Sequence, residues 1–124
     1  MTDEESIRRT MAEFCQNLDG RNFRGWADLF TVDGRFNNLE GREAIFEMIS
    51  HAELASKPEL RRKHTIENIV IDVQGGQASC ASDLVMFDKT GDSPWTIRVG
   101  RYDDRMVREG ERWLFATRRL TWMD

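Results

Sequence analysis

The chain reads as an α+β domain: helices come first, and a run of long antiparallel strands follows. Three observations predict this. Apolar residues recur at helical spacing through the first half, as in Ile7, Met11, Phe14, Cys15 and Leu18. From residue 62 onward they alternate with period two. The turns between those later strands are short, which implies an antiparallel meander with the helices covering one face.

The elements follow in order. Thr2 with Glu5 three residues on resembles a capping box, and acids fill the first turn. The first helix then runs to Gly20, a suitable terminator. Asn22 caps a short second helix presenting Trp26, Leu29 and Phe30. Asp33-Gly34 reads as a turn, Arg35-Phe36-Asn37 as a short strand, and Asn38 to Gly41 as another turn. Ala44, Ile45, Met48, Ile49 and Ala52 mark a third helix, which stops by Lys57-Pro58. Strands are expected near 62–73, 77–88, 95–108 and 112–122, with turns at Gln74-Gly75-Gly76-Gln77 and Glu109-Gly110-Glu111. A long curved sheet wrapped on a helix forms a cone-shaped barrel with a closed-ended cavity, where a small ligand fits.

Bulk properties bound the function. A length of 124 residues predicts one domain spanning 1–124, with a core that needs no staples. A net charge of −4 argues against nucleic acid and anionic membrane as partners. No apolar run approaches membrane-spanning length, and Met1-Thr2-Asp3-Glu4-Glu5 is acidic, so a cytoplasmic location is expected. Cys15 and Cys80 have no metal-ligand spacing and read as reduced apolar fillers. His51 and His64 are too far apart in sequence to suggest a metal site, and no phosphate loop or nucleophile elbow occurs. No metal and no cofactor are expected.

The most informative pair is Asp19 and His64. Asp19 falls at the rim of the first helix's apolar face, where a negative charge is unfavourable beside the helix C-terminus. His64 opens the run His-Thr-Ile-Glu-Asn-Ile-Val-Ile, and alternation puts His64, Ile66 and Asn68 on one face. A carboxylate meeting an imidazole in an apolar pocket is the minimum equipment for acid–base chemistry near neutral pH. Ile69, Ile71 and Val73 would then lie on the opposite face, where a symmetric homodimer through the sheet would cover them; alternatively the helices cover that face and the other lines the pocket.

Four segments resemble the SnoaL-like proteins of the nuclear-transport-factor-2-like superfamily. They are Phe14 to Phe23 with Trp26, Leu29-Phe30 and Asp33-Gly34; Gly41 to Ile45; His64 to Asn68; and Gly100 to Asp104 with Gly110, Trp113 and Arg118. The resemblance covers almost the whole chain. It implies a cone-shaped α+β barrel, often dimeric through its sheet, among relatives that include scytalone dehydratase, ketosteroid isomerase and polyketide cyclases. It also implies roles. Asp19 would orient His64, the general base. Arg118 and Tyr102 would stabilise a leaving group or an enolate oxygen. Asn68 would support the histidine. Phe14, Trp26, Phe30 and Met86 would line or underlie the pocket, as would Phe36, Met48 and Phe87. Asp83 and Asp104 read as exposed or structural.

Phe14 departs from the pattern, because several catalytic relatives carry tyrosine or lysine there. Phenylalanine neither donates a hydrogen bond nor titrates, so the relatives' substrates do not transfer. The expected function is a cofactor-independent dehydratase, isomerase or cyclase acting on a small apolar, cyclic molecule. The alternative is a non-catalytic ligand-binding protein, or the structural small subunit of a ring-hydroxylating oxygenase.

Overall fold

Thr2 starts the first helix, α1 (Asp3–Asp19). Its hydroxyl accepts from the Glu5 amide while the Glu5 carboxylate accepts from the Thr2 amide. The helix buries Ile7, Thr10, Met11, Phe14, Cys15 and Leu18 along one stripe. Gly20 ends it, and Asn22 caps α2 (Phe23–Ala27) by accepting from the Gly25 amide. Next come β1 (Phe30–Phe36), β2 (Leu39–Glu40), α3 (Arg42–Ser50) and α4 (Glu53–Ser56). Four long strands complete the chain: β3 (Leu60–Gln74), β4 (Gln77–Thr90), β5 (Thr96–Glu109) and β6 (Arg112–Trp122). The computed structural model describes residues 1–124.

The strands form one curved sheet in the order β2-β1-β6-β5-β4-β3, with α1 packed against β3 and β6 across its concave face. β3 to β6 are the expected antiparallel meander. The sheet is mixed rather than wholly antiparallel, because β1 runs parallel to β6, and it stays open with β2 and β3 as its edges. Asp33-Gly34 is therefore not a turn: β1 continues through it. A Cβ at Gly34 would lie 3.0 Å from Thr31 O and 3.1 Å from Phe115 O, so a side chain there would crowd the backbones of β1 and β6. Leu39-Glu40, expected within a turn, instead pairs with β1 as a two-residue strand.

A bulge in β3 has the largest consequence for the site. Pairing with β4 shifts between Glu67 and Val70, and Asn68 adopts φ 52°, in the left-handed region asparagine tolerates. The extra residue inverts the alternation. Ile69, Ile71 and Val73 turn inward and pack on the core, rather than outward as expected. Asn68 turns outward, and its amide donates to Asp83 Oδ2 at 2.8 Å.

The concave space is filled by rings centred on Phe14. Its ring centroid lies 5.2 Å from Trp26, 5.6 Å from Phe115, 5.8 Å from Tyr102 and 6.3 Å from Phe30 and Phe36. Phe14→Ala removes the shared partner of five aromatic side chains. It is expected to destabilise the protein by about 3–5 kcal/mol, read as a lower urea midpoint at unchanged slope.

Candidate active site

Helix α1 delivers Asp19 to the N-terminal part of β3. Asp19 Oδ1 lies 2.5 Å from His64 Nδ1, and Oδ2 accepts from the His64 backbone amide at 2.9 Å. A carboxylate only accepts, so Nδ1 carries the proton. In the neutral ring Nε2 then holds the free lone pair. No protein group hydrogen-bonds Nε2, and it is not among the solvent-sealed polar atoms lacking a partner. His64 is buried, while the Asp19 side chain is 21% exposed, so the pair sits at the rim of the interior.

Arg21 holds this rim, and sequence reasoning missed it. Just past α1, its guanidinium donates to the Leu54, Lys57 and Leu60 carbonyls and so fixes where β3 begins. The signal was an arginine beside a helix-ending glycine, too common to single out.

Arg118 and Tyr102 come together deeper in the same concave face. The Arg118 guanidinium carbon lies 3.4 Å from the Tyr102 ring centroid, 4.3 Å from Phe14 and 4.4 Å from Phe115. Burial pushes the Tyr102 hydroxyl far above its ordinary range, so it stays a hydrogen-bond donor at any physiological pH. Trp26, Phe30 and Met86 are buried as expected, and Phe36 and Met48 are partly buried. Phe87 pairs across from Lys63 on the outward parity of β4. His51 is exposed, as expected.

Two expectations need correction: Phe87 faces outward rather than lining or underlying the pocket, and Asn68 does not stand beside His64. Asn68 is exposed on the outer side and does not support His64. Of the two readings of Asp104, exposed or structural, burial removes the first: its side chain is sealed, and it stands opposite Arg118 in the β5–β6 register with Oδ1 3.0 Å from Nε. That N–H does not point at the oxygen, so charge attraction rather than a directed hydrogen bond holds the pair. The signal was present in the sequence, since Asp104 shares its alternation with Tyr102 and Met106.

A hollow of about 510 Å³ is lined mostly by outward residues such as Asp103, Arg105 and Asp72, and also by Cys80, Asp104 and Arg118; one of about 360 Å³ adjoins it at Asp72, Ser79 and Arg105, and neither is lined by Asp19 or His64. The Phe14-centred rings pack in the interior beside Tyr102 and Arg118. No three His, Cys, Asp or Glu side chains converge in a way that would hold a metal ion. Cys15 and Cys80 are unlinked, and burial pushes their thiols up to about 11 and about 12, which makes them poor nucleophiles.

Burial also raises the Asp104 carboxyl to about 6, with Arg118 opposing part of that rise. Between the ordinary aspartate value and about 6, the folded state binds more protons than the unfolded one. Ionisation of Asp104 therefore withdraws stability as pH rises through this window. Relative to Asp104→Asn, which does not titrate, wild-type stability is expected to fall between pH 4 and pH 7. Parallel urea titrations across that range check the sign.

Residues 1–119 match the SnoaL-like domain. No curated protein matches the chain. Among solved structures, a Mycobacterium tuberculosis protein of unknown function, determined as an aspartate-to-asparagine variant, is 28% identical with a TM-score of 0.86. The match covers 97% of this chain and 71% of that one. A candidate scytalone dehydratase from Novosphingobium aromaticivorans is 25% identical at TM-score 0.86, covering 98% and 85%. The β subunit of a candidate aromatic-ring-hydroxylating dioxygenase from the same organism, 20% identical at TM-score 0.82 and covering 95% and 87%, shares the fold. The chain therefore belongs to the SnoaL-like family, on the cone-shaped α+β fold of the nuclear-transport-factor-2-like superfamily.

Proposed function

We propose that this protein is a cofactor-independent acid–base enzyme of the dehydratase, isomerase or cyclase type, acting on a small, largely apolar cyclic molecule. The observation that carries this reading is the Asp19–His64 pair, with Nδ1 committed to the carboxylate and Nε2 left free at the rim of an aromatic interior. His64 Nε2 takes a proton from a carbon next to a carbonyl. The C–H electron pair moves into an enolate, which then expels a leaving group, is reprotonated elsewhere or closes a ring. Asp19 stabilises the imidazolium and holds its orientation. Tyr102 and Arg118 supply donors and positive charge for the enolate oxygen. Resemblance to a candidate scytalone dehydratase supports the elimination branch.

One observation favours the alternative, a non-catalytic binding or structural subunit. Neither of the two larger hollows reaches Asp19 or His64, and a ring-hydroxylase β subunit shares the fold. Deuterium exchange from D2O into a panel of small cyclic ketones, followed by NMR, separates the two. Wild type should catalyse exchange. Asp19→Asn and His64→Ala should each lower it about 10²–10⁴-fold, and the double variant little further, because the pair acts as a unit. Equal exchange rates in wild type and His64→Ala would sink the enzyme reading.

The protein is also proposed to be a homodimer through the outer face of the sheet. Ile69, Ile71 and Val73 no longer argue for it, since they face the core. Val70, Ile97 and Val99 do, being 59%, 64% and 39% exposed on the strands. Val99 pairs with Val85, and Ile97 with Phe87, which makes the patch continuous across β4 and β5. Light scattering should give twice the 14.5 kDa chain mass at micromolar concentration, and Ile97→Lys should return it to the monomer.

A further inference from the structure

The concave face holds more polar groups than the protein satisfies. Both Asp104 carboxylate oxygens, all three Arg118 guanidinium nitrogens, Ser82 Oγ and Trp26 Nε1 are sealed from solvent without a hydrogen-bond partner. Ser82 pairs in register with Tyr102, and Asp104 with Arg118, so the orphaned atoms of β4, β5 and β6 sit side by side. Folded proteins satisfy nearly all such groups, and a cluster of exceptions marks a place where something else supplies the partner. Arg118 is the most demanding. Its guanidinium carbon lies over three rings, Nε makes the ion pair with Asp104, and the two terminal nitrogens have no partner. A guanidinium edge matches an anionic oxygen.

Asp104 stands in the way of such an anion. A second negative charge buried beside its carboxylate would be strongly disfavoured at low dielectric. We propose that Arg118 is the seat for an anionic oxygen of the ligand, a carboxylate or enolate, and that Asp104 is its exchangeable counter-ion, taking up one proton as that oxygen arrives. This rests on reading the inner face as the small-molecule site and requires no turnover. The charge balances: the ligand oxygen replaces the carboxylate as partner of the guanidinium, and the proton from solvent neutralises Asp104. The buried cluster keeps the same net charge with and without ligand.

The groups facing Asp104 support its being the one that titrates. Arg118 on β6 is a permanent cation. Cys80, opposite on β4, and Cys15 on α1, which faces Arg118, hold their protons to about 12 and about 11. Tyr102 on the same strand holds its proton still higher, and Asp103 is exposed on the outer face. Asp104 itself, raised by burial to about 6, changes state within the working range. Below that point the seat is already free. Above it, affinity for an anion should weaken about tenfold per pH unit, with uptake of one proton.

Benzoate is the probe and benzamide its neutral counterpart. Calorimetric titration of the full chain at pH 5 to 8, in buffers of different ionisation heat, counts protons directly. Benzoate should bind most tightly at pH 5, and above pH 7 it should take up close to one proton. Benzamide affinity should not change with pH. Asp104→Asn should bind benzoate with no pH dependence, and Arg118→Met should not bind it. Carbon-13 NMR of the wild-type Asp104 carboxyl needs no variant: at pH 7 it should be ionised when free and protonated when benzoate saturates the site. A carboxyl that stays ionised in the complex overturns the proposal, as does a lack of saturable benzoate binding at pH 5. The same pH profile in Asp104→Asn would assign the titration to another group and also overturn it. Benzoate binding with proton uptake in a protein that exchanges no ketone deuterium would leave this inference standing and remove only the enzyme reading.

Discussion

Asp19 closes α1 onto β3, and the rest of the interior is arranged around that joint. β3 is an edge strand paired only with β4, so alternate amides along it face no neighbour. The His64 amide is one of these, and Asp19 Oδ2 accepts from it while Oδ1 holds the imidazole. A carboxylate in the last turn of a helix sits against the negative end of the helix dipole, and two donors from β3 offset that disadvantage. The other end of α1 is tied to β6. Thr10 Oγ1 donates to the Trp113 carbonyl at 2.7 Å, and Trp113 Nε1 donates to Asp3. One helix thus spans the concave face from the edge strand β3 to β6, three strands away. That span sets both where His64 lies and where the Phe14 ring is held.

Much of this was legible because it depends on local patterns. The Thr2–Glu5 box, the apolar stripe of α1 and the four long strands all follow from nearest-neighbour chemistry and periodicity. The Asp19–His64 pairing was legible only through resemblance, since the residues are 45 apart and no local rule joins them. What could not be read was parity. A single extra residue at Asn68 moves Ile69, Ile71 and Val73 from outside to inside, and the run Ile69-Val70-Ile71 is apolar in either register. A shift in the β5–β6 pairing between Arg105 and Met106 likewise turns Arg118 inward beside Asp104, a placement that the resemblance anticipated but alternation did not. Bulges change the face of every residue beyond them, and their positions depend on the partner strand.

The departure at Phe14 is easier to understand once Arg118 is seen beside it. The guanidinium carbon lies 4.3 Å from the Phe14 ring, among three aromatic faces. A lysine at position 14 would set a second cation against a buried one. A phenylalanine instead offers a ring face that attracts the cation and needs no hydrogen bond of its own. Phe14 and Asp104 are therefore complementary adjustments to the same group. The ring holds the guanidinium in place without using its donors, and the carboxylate balances its charge without a directed hydrogen bond. The terminal nitrogens of Arg118 have no partner in a part of the core where a neutral, fully satisfied packing would have been cheaper to build. A buried ion pair with donors to spare is weak evidence for stability, which is the physical ground for reading Arg118 as a binding group.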